Sequence, residues 1–528
     1  MLKQQTASAL LLRSRAHLAT GTPNPSPSRL SLDDHSRNPP PRYPSRLKTT
    51  MATGSESQAP AEQPGAAEQS RRGRFPGGPL FPMGYKDAAY QWWHSAAPPT
   101  AERNVLSLIP YLREAAEYFA TGNSESGDTY DPFGTRVWKT ELVNLSGKNR
   151  ALNEYSVERI GEEVKETLVM LHGYGAGLGF WYKNYEPLTR IPGWRLYSLD
   201  MLGMGNSARP PFKIRATDPK EKIAEAESWF IDALEEWRIQ RKIEKFTLLG
   251  HSLGGYLAVS YALKYPGRLK KLILASPAGL PENPYAVNEK LPEPDQSTMP
   301  SEFIEDQETT TQSHGNANPA NKRLSTSSQS SQPNVPVRKL PPWLVWLWDA
   351  NFSPFSLVRM TGPLGPRFVS GWSSRRFNHL PPEEARALHE YTFSIFRQKG
   401  SGEYVLPYLL APGAYARDPV VNKIHRVGRQ IISQTETETI RETGIPIIML
   451  YGENDWMDVA GGLAAEQKLK EARLKALLHN TEEEKRRENG RASVVVISKA
   501  GHHLYLDNPE EFNELMRKEM EDTMANQV

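Results

Sequence analysis

The stretch LLGHSLGGYLAVSYALKYP, residues 248–266, constrains this chain more than any other. Phe246, Leu248 and Leu249 close an apolar, strand-like run, and Leu253, Tyr256, Leu257, Tyr261 and Leu263 then recur at roughly helical spacing. A strand that passes straight into a helix leaves almost no room between the two. Gly250 and Gly254 let the backbones approach, and Ser252 between them is forced into a strained, exposed position, the geometry of a nucleophile elbow. Short Gly/Ser patterns also occur in ordinary tight turns, so GHSLG alone leaves both readings open. In the catalytic reading the new helix aims its N-terminus at the reacting centre, and the Leu253 N–H is placed to hold an oxyanion.

The flanking segments favour the catalytic reading over that of glycines that only make tight turns. Upstream, ETLVMLHGYGAG (166–177) is an apolar strand ending in a glycine-rich loop, the place for a second oxyanion donor, the N–H of Tyr174. Losing one such donor costs about 2.7–4 kcal/mol of transition-state stabilisation, so two converging amides serve catalysis, whereas folding does not need them. Downstream, IPIIMLYGENDWMD (445–458) is a β-branched strand followed by Gly452 and two aspartates, and ASVVVISKAGHHLYLDNPEEF (492–512) is a last strand followed by His502 and His503. Each of these residues sits in a loop after a strand, the edge where open α/β sheets place ligands.

The chain order is therefore Ser, Asp, His, that of an α/β-hydrolase fold with a mostly parallel sheet flanked by helices. Asp455, three residues beyond Gly452, has the spacing expected of the acid, with Asp458 as the alternative one helical turn later. His502 directly follows Gly501, the flexible point that lets the loop dip towards the serine, while His503 is left to pack or meet solvent. Asp200, in SLDMLGMGNS, precedes the serine and reads as structural.

The segments LVMLHGYGAGLGFWYKNYEPL, LYSLDMLGMGNSARP, GHSLGGYLAVSYALKYPGRLKKLILASPAGLP and GHHLYLDNPEEF resemble the lipid-acting subfamily of α/β hydrolases. That subfamily includes abhydrolase-domain lysophospholipases, lysophosphatidic acid acyltransferases and, nearest in pattern, the fungal mitochondrial cardiolipin-specific deacylase. The resemblance spans about residues 100–285 and 340–520. It implies an acyl-glycerophospholipid substrate and no cofactor, with acyl-CoA entering as co-substrate only for an acyltransferase. Relatives that serve as lipase co-activators carry Asn at the nucleophile position, where this chain has Ser252. The subfamily's H-x4-D motif falls on His502 and Asp507, and is associated there with acyl transfer. Physically Asp507 and Asn508, followed by Pro509, Glu510 and Glu511, read as a helix cap or loop anchor before they read as catalysis. Transfer and hydrolysis share one acyl-enzyme and differ only in whether a lysolipid hydroxyl or water attacks second.

Composition bounds the rest. A net charge of +3 makes no case for nucleic-acid binding, and the absence of cysteine excludes disulfides and thiol chemistry. No metal-binding pattern appears, and no apolar run reaches the roughly 18–20 residues that span a bilayer, so contact with lipid is expected to be peripheral. Residues 1–75 are rich in Ser, Pro, Ala and Gln and are expected to be disordered. Lys3, Arg13, Arg15 and Arg29, with no acid before Asp33, resemble a mitochondrial transit peptide, against the plainer reading of a disordered tail, and initiation at Met51 instead of Met1 would remove it. The expected location is peripheral on the inner mitochondrial membrane, with lipid droplet or cytoplasm as alternatives.

Two pieces of hydrolase core, 76–285 and 441–528, are expected around a disordered insertion at 286–340 and a helical cap at 341–440. The cap opens with LPPWLVWLWDANFSPFSLV, where Trp343, Trp346 and Trp348 suit a membrane interface or the packing of the cap on the core. The charged stretch 466–489 reads as a solvated helix. A non-catalytic lipid-droplet or lipase-binding protein is the reading from another class, and Ser252 with two oxyanion loops speaks against it.

Overall fold

A computed structural model of the chain describes residues 81–121, 131–282, 353–411 and 414–526. The expectations for residues 1–75, for the insertion at 286–340 and for Trp343, Trp346 and Trp348 lie outside the described residues.

The strands are β1 (Arg113–Glu114), β2 (Arg136–Asn144), β3 (Ala151–Arg159), β4 (Glu166–Leu171), β5 (Trp194–Leu199), β6 (Phe246–His251) and β7 (Leu269–Ala275), then two short hairpins, then the last two strands. The hairpins pair β8 (Leu410–Ala411) with β9 (Tyr415–Ala416) and β10 (Ile431–Gln434) with β11 (Thr439–Arg441). The last two strands are β12 (Ile447–Gly452) and β13 (Ala492–Ile497). Nine of them form one sheet in the order β1-β2-β3-β5-β4-β6-β7-β12-β13. The pairs β2–β3 and β3–β5 are antiparallel and every other pair is parallel.

Parallel strands need crossovers and are covered on both faces, which is why β4 and β6 are apolar almost throughout and wholly buried. Successive side chains still alternate between faces. Val169 and Leu171 join one core cluster, with the helices Pro219–Gln240 and Leu253–Lys264, and Leu168 and Met170 join the other, with Tyr182–Leu188 and Pro509–Ala525. The charged stretch is helical in two pieces. Val459–His479 turns Val459, Ala465 and Leu469 inwards and stops at Asn480, where a Thr481 capping box starts Glu482–Arg486.

Between β7 and β12 lie the helices Pro354–Met360, Gly365–Arg376, Pro382–Phe396 and Leu406–Leu409. Phe355, Trp372, Tyr391 and Phe396 carry their apolar face into the core that also holds Phe180, from the loop after β4. Among the described residues no helix is long and apolar enough to cross a membrane.

Candidate active site

Ser252 stands between β6 and its helix with φ 51° and ψ −116°, a backbone region that L-residues seldom occupy. The flanking glycines are steric requirements. A Cβ on Gly250 would lie 2.4 Å from the Gly254 carbonyl oxygen, and one on Gly254 would lie 2.6 Å from that of His172. Leu253 is the first residue of the helix, so its N–H has no partner within that helix to donate to. The loop after β4 presses on the elbow from the other side, since a Cβ on Gly173 would come within 3.1 Å of Ser252 Cβ. Tyr174 follows, its ring stacked on Phe355 of the helix Pro354–Met360 with centroids 5.1 Å apart. Both expected oxyanion donors, Leu253 and Tyr174, thus adjoin the serine in the chain or across the loop.

The acid and the base meet. His502 Nδ1 lies 3.1 Å from Asp455 Oδ1, with both residues buried. Asp455 Oδ1 also accepts the Met457 N–H at 3.0 Å, and Oδ2 accepts the Ser276 hydroxyl. Three donors therefore converge on one carboxylate, which fixes its plane. Asp458 is elsewhere, at the N-cap of Val459–His479, where it accepts the Ala460 N–H at 2.9 Å. Of the two aspartates left open by spacing, only Asp455 touches His502.

His503 packs, as one of its two readings had it. Burial and the neighbouring Arg376 charge push its pKa well down, and its Nδ1 accepts from Arg376 Nε at 3.0 Å. Asp507 is a loop anchor and not a helix cap: its Oδ2 accepts the Gly501 N–H at 2.9 Å, and Asn508 is the residue that caps Pro509–Ala525. Asp200 is structural, buried and tied to the Leu178 N–H at 2.7 Å, the Asn206 N–H at 2.7 Å and Asn153 at 2.9 Å. Beside it, burial and the Asp200 charge push the carboxyl of Glu102 well above the usual range.

Three contributors escape a local reading. Ser276, at the end of β7, has φ 46° and turns its hydroxyl onto Asp455. His251 is buried and, held neutral by that burial, donates Nε2–H to the His502 carbonyl at 3.0 Å. Arg376 reaches the histidine loop from the end of the helix Gly365–Arg376. Their partners lie far along the chain. For Ser276 the only signal is a hydroxyl at a strand end on the ligand-bearing edge.

An acid–histidine pair on the loops after β12 and β13, with a strained serine on the turn after β6, is the layout of a nucleophile-elbow α/β fold. The profile of the α/β hydrolase fold family matches residues 166–509, and the chain belongs to that family. It is 29% identical over 418 residues to a 1-acylglycerol-3-phosphate O-acyltransferase of Arabidopsis thaliana, covering 78% of this chain and 76% of that protein. It is 28% identical over 356 residues to the (lyso)-N-acylphosphatidylethanolamine lipase of Homo sapiens, covering 66% of this chain and 78% of that protein. Among solved structures it is similar to a bromoperoxidase from Bacillus anthracis, at 14% identity and a TM-score of 0.42, over 73% of this chain and 100% of that one. The acyltransferase and lipase names accord with the resemblance to the lipid-acting subfamily.

Proposed function

We propose that the chain is a serine acyl hydrolase of phospholipase A type that deacylates membrane glycerophospholipid, cardiolipin first among the substrates to test. The observation that carries this reading is the contact of His502 with Asp455, together with an elbow that holds Ser252 strained and half-buried. In this mechanism His502 Nε2 takes the proton of Ser252 as Oγ attacks the acyl carbonyl, and the N–H groups of Leu253 and Tyr174 hold the oxyanion. The glycerol oxygen then leaves with that proton as lysolipid. Water, deprotonated by His502, attacks the acyl-enzyme, releases the fatty acid and restores Ser252. No metal or cofactor takes part in these steps.

A second reading is favoured by the relatives named 1-acylglycerol-3-phosphate O-acyltransferase. Acyl-CoA would load Ser252 and a lysolipid hydroxyl would replace water. Incubating the purified chain with defined phospholipids, with and without acyl-CoA and lysolipid, and identifying products by mass spectrometry separates the two. Free fatty acid plus lysolipid supports the hydrolase. Acyl transfer without release overturns it, and the absence of either product would favour the lipid-droplet or lipase-binding reading.

The proposal extends to where the enzyme works. A basic leader before residue 50 and the cardiolipin reading together favour the inner mitochondrial membrane, with a single catalytic unit formed by 76–285 and 441–528, capped by 341–440. An exposed aromatic surface supports peripheral attachment. The helix Tyr85–His94 exposes Tyr85, Tyr90 and Trp93, and the adjoining cap exposes Leu357 and Met360, with Trp93 and Met360 about three-quarters exposed at 76% and 74%. An open groove of about 530 Å³ between the two carries Arg397 and Lys399, cations suited to anionic headgroups, beside Arg359, which is paired with Glu403. Replacing Trp92 and Trp93 together by Ala is expected to lower co-sedimentation with cardiolipin vesicles several-fold while sparing hydrolysis of a soluble short-chain ester. Equal loss on both substrates would make these rings structural.

A further inference from the structure

Arg376 is the last residue of the cap helix Gly365–Arg376 and is only 1% exposed. Its Nη1 donates to Asp507 Oδ1 at 2.7 Å and its Nε to His503 Nδ1 at 3.0 Å. The remaining oxygen of Asp507 accepts the N–H of Gly501, the residue directly before His502, at 2.9 Å. One carboxylate therefore joins the cap to the peptide that carries the histidine.

The H-x4-D spacing follows from this geometry. After His502 the chain folds back on itself, with Leu506 N and Asp507 N donating to the His503 carbonyl at 2.7 and 3.0 Å. That turn returns the side chain of residue 507 to the N–H of residue 501, which a residue one position earlier or later on the turn would point away from. Asp507 is thereby turned from His502, whose Nδ1 faces Asp455. A buried ion pair is also a poor device for stability alone, since apolar side chains of similar volume usually serve as well or better.

We propose that Arg376 is a positioning residue which, through Asp507 and His503, latches the cap to the histidine loop, so that His502 faces Ser252 only while the cap is seated. The inference rests on the serine-hydrolase reading. It gives the cap a second task besides covering the acyl chain, and it makes the motif Asp a strut that never meets substrate.

The test uses the full chain with Arg376→Met, Arg376→Lys, Asp507→Asn and the double variant Arg376→Met/Asp507→Asn. Turnover of a soluble short-chain p-nitrophenyl ester and the rate and end point of fluorophosphonate labelling are measured for each. The latch predicts that kcat falls on the order of 10²-fold, as for a general base displaced by about an ångström, with KM nearly unchanged. Labelling is expected to slow yet reach the wild-type end point. Because the two residues act as one unit, the double variant is expected to be no worse than Arg376→Met, and Arg376→Lys to recover part of the loss.

Wild-type kcat in Arg376→Met and Asp507→Asn would overturn the latch, as would losses that multiply in the double variant. A raised KM with kcat retained would also overturn it and assign Arg376 to substrate binding. A labelling end point reduced in proportion to kcat would show misfolding and count against it too. Should Arg376→Met fail to fold, Arg376→Lys and Asp507→Asn each carry the same comparison. Failure of the serine-hydrolase reading shows separately, as labelling and turnover that survive Ser252→Ala.

Discussion

Ser252→Ala is expected to lower turnover on the order of 10⁶-fold while leaving thermal stability close to wild type. The size follows from what is removed. An unassisted serine hydroxyl is a weak nucleophile at neutral pH, and the elbow supplies it with a base and with two backbone amides for the oxyanion. Alanine keeps the Cβ, so it accepts the same φ of 51° at the same cost and disturbs neither Gly250 nor Gly254. What survives is the rate that oxyanion donors and substrate binding give without a nucleophile. A fluorophosphonate probe reads the same residue directly. It should label the wild type once per chain and leave Ser252→Ala unlabelled. Full esterase activity in the alanine variant would remove the nucleophile, and a wild type that neither labels nor turns over would favour the lipid-droplet or lipase-binding reading.

The parts of this site that can be read from sequence are those set by local sterics. Gly250 and Gly254 are legible because a strand running into a helix admits only glycine there, and the contacts a Cβ would make at 2.4 and 2.6 Å bear this out. The order of strands is legible because β4, β6 and β12 are apolar runs bounded by glycine. Registry by one residue is less secure. Asp507 and Asn508 both read as a cap, and Pro509 at the first helical position gives that place to Asn508. Contacts made across the fold leave no local trace. Arg376 stands 131 residues from Asp507, and Ser276 stands 179 from Asp455, so neither pairing has a periodicity or spacing to betray it. Exposure is equally non-local. The described structure opens Trp93 to solvent within YKDAAYQWWH, a helix whose sequence does not by itself say which of its rings are covered.

Asp455→Asn is expected to lower kcat on the order of 10⁴-fold, whereas Asp458→Asn is expected to leave it within a few-fold of wild type. The two carboxylates lie three residues apart and do different work. Asp455 holds the Nδ1–H of His502, which leaves Nε2 as the base and steadies the imidazolium once the serine proton has moved. An amide in its place presents an N–H to one of three donors already gathered there, the Ser276 hydroxyl, the Met457 N–H and the imidazole itself. Either a buried donor loses its acceptor or the ring adopts the other tautomer, with the proton on Nε2 and no lone pair for Ser252. Asp458 accepts one N–H at a helix start, and asparagine caps a helix about as well as aspartate does, so its replacement keeps the cap and leaves the contact between Asp455 and His502 in place. Steady-state kinetics on the soluble ester, with thermal melts to show that both variants are folded, decide the matter. An active Asp455→Asn beside a crippled Asp458→Asn would move the acid to the helix cap and leave the contact between Asp455 and His502 without a catalytic role.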